Sequence, residues 1–279
     1  MQVLKKLTMK IFVLVLPLFI YYFGYNWYKV YTGSFIDDID GGRIYKAINK
    51  SHQKIDSEVI IISDSYGGQL YPIENYKSSE HIFSLSTTAP SSLVGGYILL
   101  NNLLENNNLK GKRIIYIVGP GSLKNVLNGS NTYNHFVKPF YTYVNGNYIS
   151  LNAETKLNNI PYVVISQLPF IKCSDWSPTF ERNSSKKIFI SDLYIEYINK
   201  IIDLGEKEGF SFEIVAPFMR EDQMGKSYSE LKLQIKENSF SHYFKGYFKN
   251  MKFKPIEEFY INSGHYLTPA KYGYNPLGL

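Results

Sequence analysis

Cysteine is almost absent: Cys173 stands alone. A single thiol cannot close a disulfide within the chain, so a disulfide-stapled scaffold is excluded. Histidine is sparse as well. His52, His81, His135, His242 and His265 are scattered singly, and no pair has metal-ligand spacing, which argues against a zinc centre. No glycine-rich phosphate loop is present. Gly119-Pro120-Gly121-Ser122 lacks both the P-loop lysine and the dinucleotide fingerprint, so no cofactor is expected. Basic clusters interleaved with aromatics are missing, and nucleic acid is not an expected partner. The net charge of +6 is modest, and part of it is local, from Lys5, Lys6 and Lys10. No internal repeat is visible. No long apolar lid segment follows the N-terminal run, which argues against a secreted lipase.

What the chain does have begins with that run. Ile11 to Tyr28, IFVLVLPLFIYYFGYNWY, carries no charge. About 18 to 20 such residues in a helix span the roughly 30 Å hydrocarbon core of a bilayer. Three lysines precede it, and Tyr21, Tyr22, Tyr25, Trp27 and Tyr28 crowd its far end. Lysines favour the cytoplasmic side and amphipathic aromatics the membrane–water boundary. A cleaved signal peptide needs small residues after a shorter apolar core, whereas this run ends in bulky ones. Besides that alternative, a buried core helix passes the same composition test. The expectation is an uncleaved anchor, with the N-terminus cytoplasmic and the bulk of the chain extracytoplasmic at the cell membrane.

The rest is expected to divide into an anchor (1–30), a juxtamembrane linker (31–54) with a helix over Gly42–Lys50, and one domain (55–279). That domain holds an insertion at about 126–190. Hydrophobic residues make up 44% of the 279, enough for a sizeable core. Strands are expected at Val59–Ser63, His81–Leu85, Arg113–Val118 and Ser211–Ala216, in runs rich in β-branched residues. Helices are expected at Leu93–Glu105 and Ser191–Glu208. The second is capped by Ser191 or Asp192 and ended by Gly209. Alternating strands and helices imply a parallel sheet between helical layers, an α/β fold of three-layer α/β/α type. The insertion is polar and rich in Tyr and Asn, with a hairpin expected around Val144–Tyr148 from the Asn145-Gly146 turn signal.

In such sheets ligands bind beyond the carboxyl ends of the strands. There the chain reads Ile62 to Gln69, ISDSYGGQ: a strand, then Ser63-Asp64-Ser65, then two glycines. The bland reading is a polar turn that caps the strand. The chemical one makes Ser65 a nucleophile at a strand-to-helix turn. A serine hydroxyl needs a neighbouring base, and His265 in FYINSGHYLTPAKYGYN is the candidate. Asp64 reads as a turn or cap residue, since adjacent side chains at a strand end point apart. The other four histidines read as structural. Tyr141, Tyr143, Tyr148 and Trp176 either pack or stack on sugar rings. Lys110, Lys112 and Arg113 read as a solvated loop before a strand.

The order of Ser63-Asp64-Ser65, the segment FEIVAPFMRED and the late turn-His of Asn262–His265 resembles the SGNH/GDSL hydrolase superfamily, over roughly residues 55–275. The N-terminal anchor narrows the likeness to the membrane-bound branch, which includes the D-alanyl transfer protein of teichoic-acid synthesis and polysaccharide O-acetylation proteins. The resemblance implies a flavodoxin-like sheet and a serine acyltransferase or carbohydrate esterase. It also implies a membrane-bound O-acyltransferase as partner and a cell-surface polysaccharide or polymer as acceptor.

The family's first block is Gly-Asp-Ser, and here Ser63 replaces the glycine. Ser65 matches the nucleophile, whose N–H is one oxyanion donor. The second block falls at Ser84–Ser91 without its Asn or Gly, leaving a backbone donor near Ser86. The third falls at Val118–Ser122, with Gly119 in the block and Asn125 standing in for its Asn. The fourth, Asp-x-x-His, reads Asn262-Ser263-Gly264-His265. Three readings of the missing aspartate stay open. Glu257 or Glu258 replaces it, a Ser65–His265 dyad suffices, or catalysis is lost and a binding groove is kept.

Overall fold

The computed structural model describes residues 2–32, 41–74, 81–129, 131–157, 189–215 and 229–245. The first element is helix α1 (Gln2–Thr32), with Pro17 inside it. Its stretch Thr8–Tyr25 is long and apolar enough to cross a membrane, and none of it is buried within the protein. An interior proline costs a water-exposed helix about 3 kcal/mol but is tolerated in membrane helices.

The centre is a parallel five-stranded sheet, β1 (Val59–Ser63), β2 (Ile82–Ser86), β3 (Arg113–Ile117), β4 (Ser211–Val215) and β5 (Phe244–Lys245), in the order 2-1-3-4-5. All four pairings are parallel. Every residue of β1 is buried, as a central strand covered on both faces requires. The alternation of side chains sorts the sheet into two faces. Ile60 stands level with Phe83 and Ile114, and Ile62 with Leu85 and Tyr116. This face joins the larger core with α2 (Gly42–Ser51), α4 (Ser92–Asn106) and α7 (Asp192–Glu208). Val59, Ile61, Ile115 and Ile117 face the other way, onto Leu70 and Tyr71 at the end of helix α3 (Ser65–Leu70).

Local chemistry explains the helix ends. Ser191 Oγ accepts from Tyr194 N and caps α7, and Gly209 closes it in the left-handed conformation at φ 78°, where a side chain is strained. Of the two cap candidates, Ser191 is the one used. Lys50 donates from Nζ to the Ile73 carbonyl at 2.9 Å, and Asn102 Nδ2 donates to Ser51 Oγ at 2.9 Å. These bonds tie α2 to its neighbours, so residues 42–51 form part of the packed domain and not a free linker.

Two sequence expectations change, and one strand has no counterpart among them. The strand expected at His81–Leu85 lies one residue later. The hairpin expected at Val144–Tyr148 is helical: a π-turn at Tyr133–Val137 leads into α5 (Tyr141–Asn145), and α6 (Leu151–Leu157) follows. Phe136, Phe140 and Val144 are all buried, and their spacing of four places them on one helical face. That packing outweighs the Asn-Gly turn signal. Gly146 N closes α5 by donating to Thr142 O at 2.9 Å. Finally, β5 follows α8 (Ser229–Glu237) and a short 3-10 turn, and two residues are too few to show a period.

Candidate active site

In the order 2-1-3-4-5, the chain leaves β1 towards one edge and later returns through β3 on its other side. The reversal puts a topological switch point at the carboxyl ends of β1 and β3, the usual ligand position in such sheets. The segments flanking it are Asp64-Ser65 and Val118–Ser122.

Asp64 joins the two. Its carboxylate is buried and accepts from Ser122 Oγ at 2.7 Å, from Gly119 N at 3.2 Å and from Tyr66 N at 2.9 Å. The last bond caps α3. Burial pushes the Asp64 pKa up, and the donors from Ser122, Gly119, Tyr66 and Gly67 pull against it. Asp64 thus acts as a bracket between two loops, and its neighbour Ser65 becomes the first residue of α3.

Ser65 is half-buried, and among the described residues its hydroxyl has no hydrogen-bond partner. Its turn is tight. A Cβ on Gly67 would stand 2.3 Å from Ser63 Cβ and 2.9 Å from Ile117 Cβ. The room for the Ser63 side chain comes from Gly67. The Ser63 hydroxyl is buried without a partner. Gly119 is hemmed in the same way, since a Cβ there would lie 2.6 Å from the Tyr66 ring.

The other sequence candidates serve the framework of this rim. Ser86 is buried, and its hydroxyl lies 2.7 Å from Ser84 Oγ and donates to Tyr71 O at 2.9 Å. The N–H of Thr87 donates to Ser63 O at 2.9 Å. Gly119 N is committed to Asp64, as above. Asn125 donates from Nδ2 to Ala89 O at 2.8 Å and accepts from Leu127 N at 2.8 Å. Its carbonyl also receives Ser191 Oγ at 2.9 Å, so it ties the loop after β3 to the turn after β2 and to the start of α7. His265, Asn262, Glu257, Glu258 and Trp176 lie outside the described residues. No group of three His, Cys, Asp or Glu side chains fit to hold a metal occurs among the described residues.

Two residues at this rim were not singled out from the sequence. His135, read as structural, places Nδ1 3.2 Å from Thr88 Oγ1, just past the end of β2. Arg43, in the first turn of α2, reaches Gly68: a Cβ there would lie 2.8 Å from Arg43 Nη1 and 3.5 Å from Ser86 Cβ. The only signal for Arg43 in the sequence was a basic residue opening a helix with no acid in its first turn. The chain matches no family model, no curated protein and no solved structure.

Proposed function

We propose that the protein is a membrane-anchored, extracytoplasmic serine acyltransferase or esterase of SGNH type, acting on acetyl or D-alanyl groups of a cell-surface polymer. The observation that carries this reading is the position of Ser65. It opens a helix at the sheet's switch point, its half-buried hydroxyl without a hydrogen-bond partner among the described residues, on a turn braced by a buried aspartate. In this reading Ser65 Oγ attacks the acyl carbonyl and passes its proton to His265. The Ser65 N–H steadies the oxyanion, a contact worth about 3 kcal/mol at the transition state. The protonated imidazole then releases the first alcohol. A polymer hydroxyl or water resolves the acyl-serine, giving transfer or hydrolysis. Lys5, Lys6 and Lys10, ahead of the uncharged run of α1, favour a cytoplasmic N-terminus, and a membrane-bound O-acyltransferase would supply the acyl group.

The test is hydrolysis of p-nitrophenyl acetate by the full chain in detergent micelles. Ser65→Ala should fall to the buffer rate, and His265→Gln should lose about 10²- to 10⁴-fold, as for removal of a general base. Full activity in Ser65→Ala would contradict the assignment. A second reading, a non-catalytic polymer-binding subunit, is favoured by one feature: the N–H groups of Gly119 and Thr87 are committed internally and so do not supply a second oxyanion donor. Polymer binding by a folded chain that never turns over an ester would select that reading.

A further inference from the structure

We infer that Arg43 is a specificity-determining residue that binds an oxyanion of the substrate, a phosphodiester or a carboxylate, beside Ser65. The inference rests on Ser65 as the reacting residue and adds to it the charge class of the polymer. Arg43 is half-buried and makes no hydrogen bond or ion pair among the described residues. A guanidinium carries five donors and is always charged, so leaving it half out of water without a counter-ion is unfavourable. Its position is also unfavourable by dipole. It sits in the first turn of α2, which has no acidic residue there and no side-chain cap, where the helix dipole disfavours a positive charge. Both penalties turn into gains once an anion arrives.

The location ties this charge to Ser65. Arg43 Nη1 would lie 2.8 Å from a Cβ on Gly68, and Ser86 at the end of β2 is the next neighbour. Gly68 is three residues after Ser65 on α3, and residues so spaced share a helix face about 5–6 Å apart. The guanidinium therefore lies one turn along from the hydroxyl, at the carboxyl end of the sheet. Gly68 has no side chain where Arg43 reaches across. The planar fork of arginine matches both phosphate and carboxylate, so the two anions are separate arms of the test.

The experiment is isothermal titration of the full chain in micelles with bis(glycerol) phosphate in one arm and methyl glucuronide in the other. Binding of either one by wild type, retained in Ser65→Ala and weakened about 10-fold or more in Arg43→Gln, is the expected result. The stronger arm identifies the anion. Gly68→Ala should weaken binding too, by displacing the guanidinium while Arg43 is retained. Arg43→Lys should hold part of the affinity, which a misfolded variant would not. Equal binding by wild type and Arg43→Gln, or no binding in either arm, overturns the inference. Because Ser65→Ala binding is read without turnover, loss of the ester chemistry and loss of the anion site are told apart.

Discussion

Ser63 and Gly67 share one space, and the two residues are best understood together. With Ser63 in place, Gly67→Ala sets a new methyl 2.3 Å from Ser63 Cβ. Overpacking of this kind costs about 1–3 kcal/mol, visible as a lower thermal midpoint. Ser63→Gly in the same chain should return much of the loss, and the remainder reports Ile117. An additive double variant would contradict this coupling. Asp64 gives a second residue-scale prediction. Its folded pKa is raised by burial above the ordinary value of 3.8. Its contribution to stability is therefore complete below that value and fades as the pH climbs through the raised one. Between pH 4 and 8 the wild-type midpoint should fall more steeply than that of Asp64→Asn; parallel curves would show that Asp64 does not titrate in this way.

At the scale of elements, Ser191 is the position to test. It caps α7 and also donates to Asn125 O at 2.9 Å, so it joins a helix to the rim. Ser191→Ala should cost about 1–2 kcal/mol in chemical denaturation, with Thr restoring most of it; an unchanged midpoint would contradict the cap. Such elements were legible in the sequence because each has a local cause. β1, β3 and β4 are β-branched runs bounded by polar turns, and α7 has both a serine cap and a glycine stop. The hairpin was misread because Asn145-Gly146 is a local signal, while the burial of Phe136, Phe140 and Val144 is decided by the core. The site was half legible. Ser65 and Asp64 are adjacent in sequence, so their turn could be read. The bond from Asp64 to Ser122 and the approach of Arg43 to Gly68 join residues far apart in the chain, and no periodicity reports them.

For the whole molecule, the sheet has its switch point between β1 and β3, and α1 is long and apolar enough to cross a membrane. Thr8–Tyr25 has no buried residue, so this 18-residue, largely apolar stretch is available to lipid. Membrane-extracted protein should have the intact mass of a chain that keeps residues 2–32, and deleting them should release it from membranes washed in alkaline carbonate. A native mass lacking that segment would replace the anchor with a cleaved leader. The charge at Arg43, the bracket at Asp64 and the serine between β1 and α3 then face the same extracytoplasmic space in the proposed orientation.

The central claim is that Ser65 is acylated, and it is tested most directly by treating the full chain with a fluorophosphonate and mapping the adduct by peptide mass spectrometry. The account predicts one adduct, on the peptide bearing Ser65, that disappears in Ser65→Ala. An adduct on another serine, or none on a chain with a cooperative thermal transition, would contradict it.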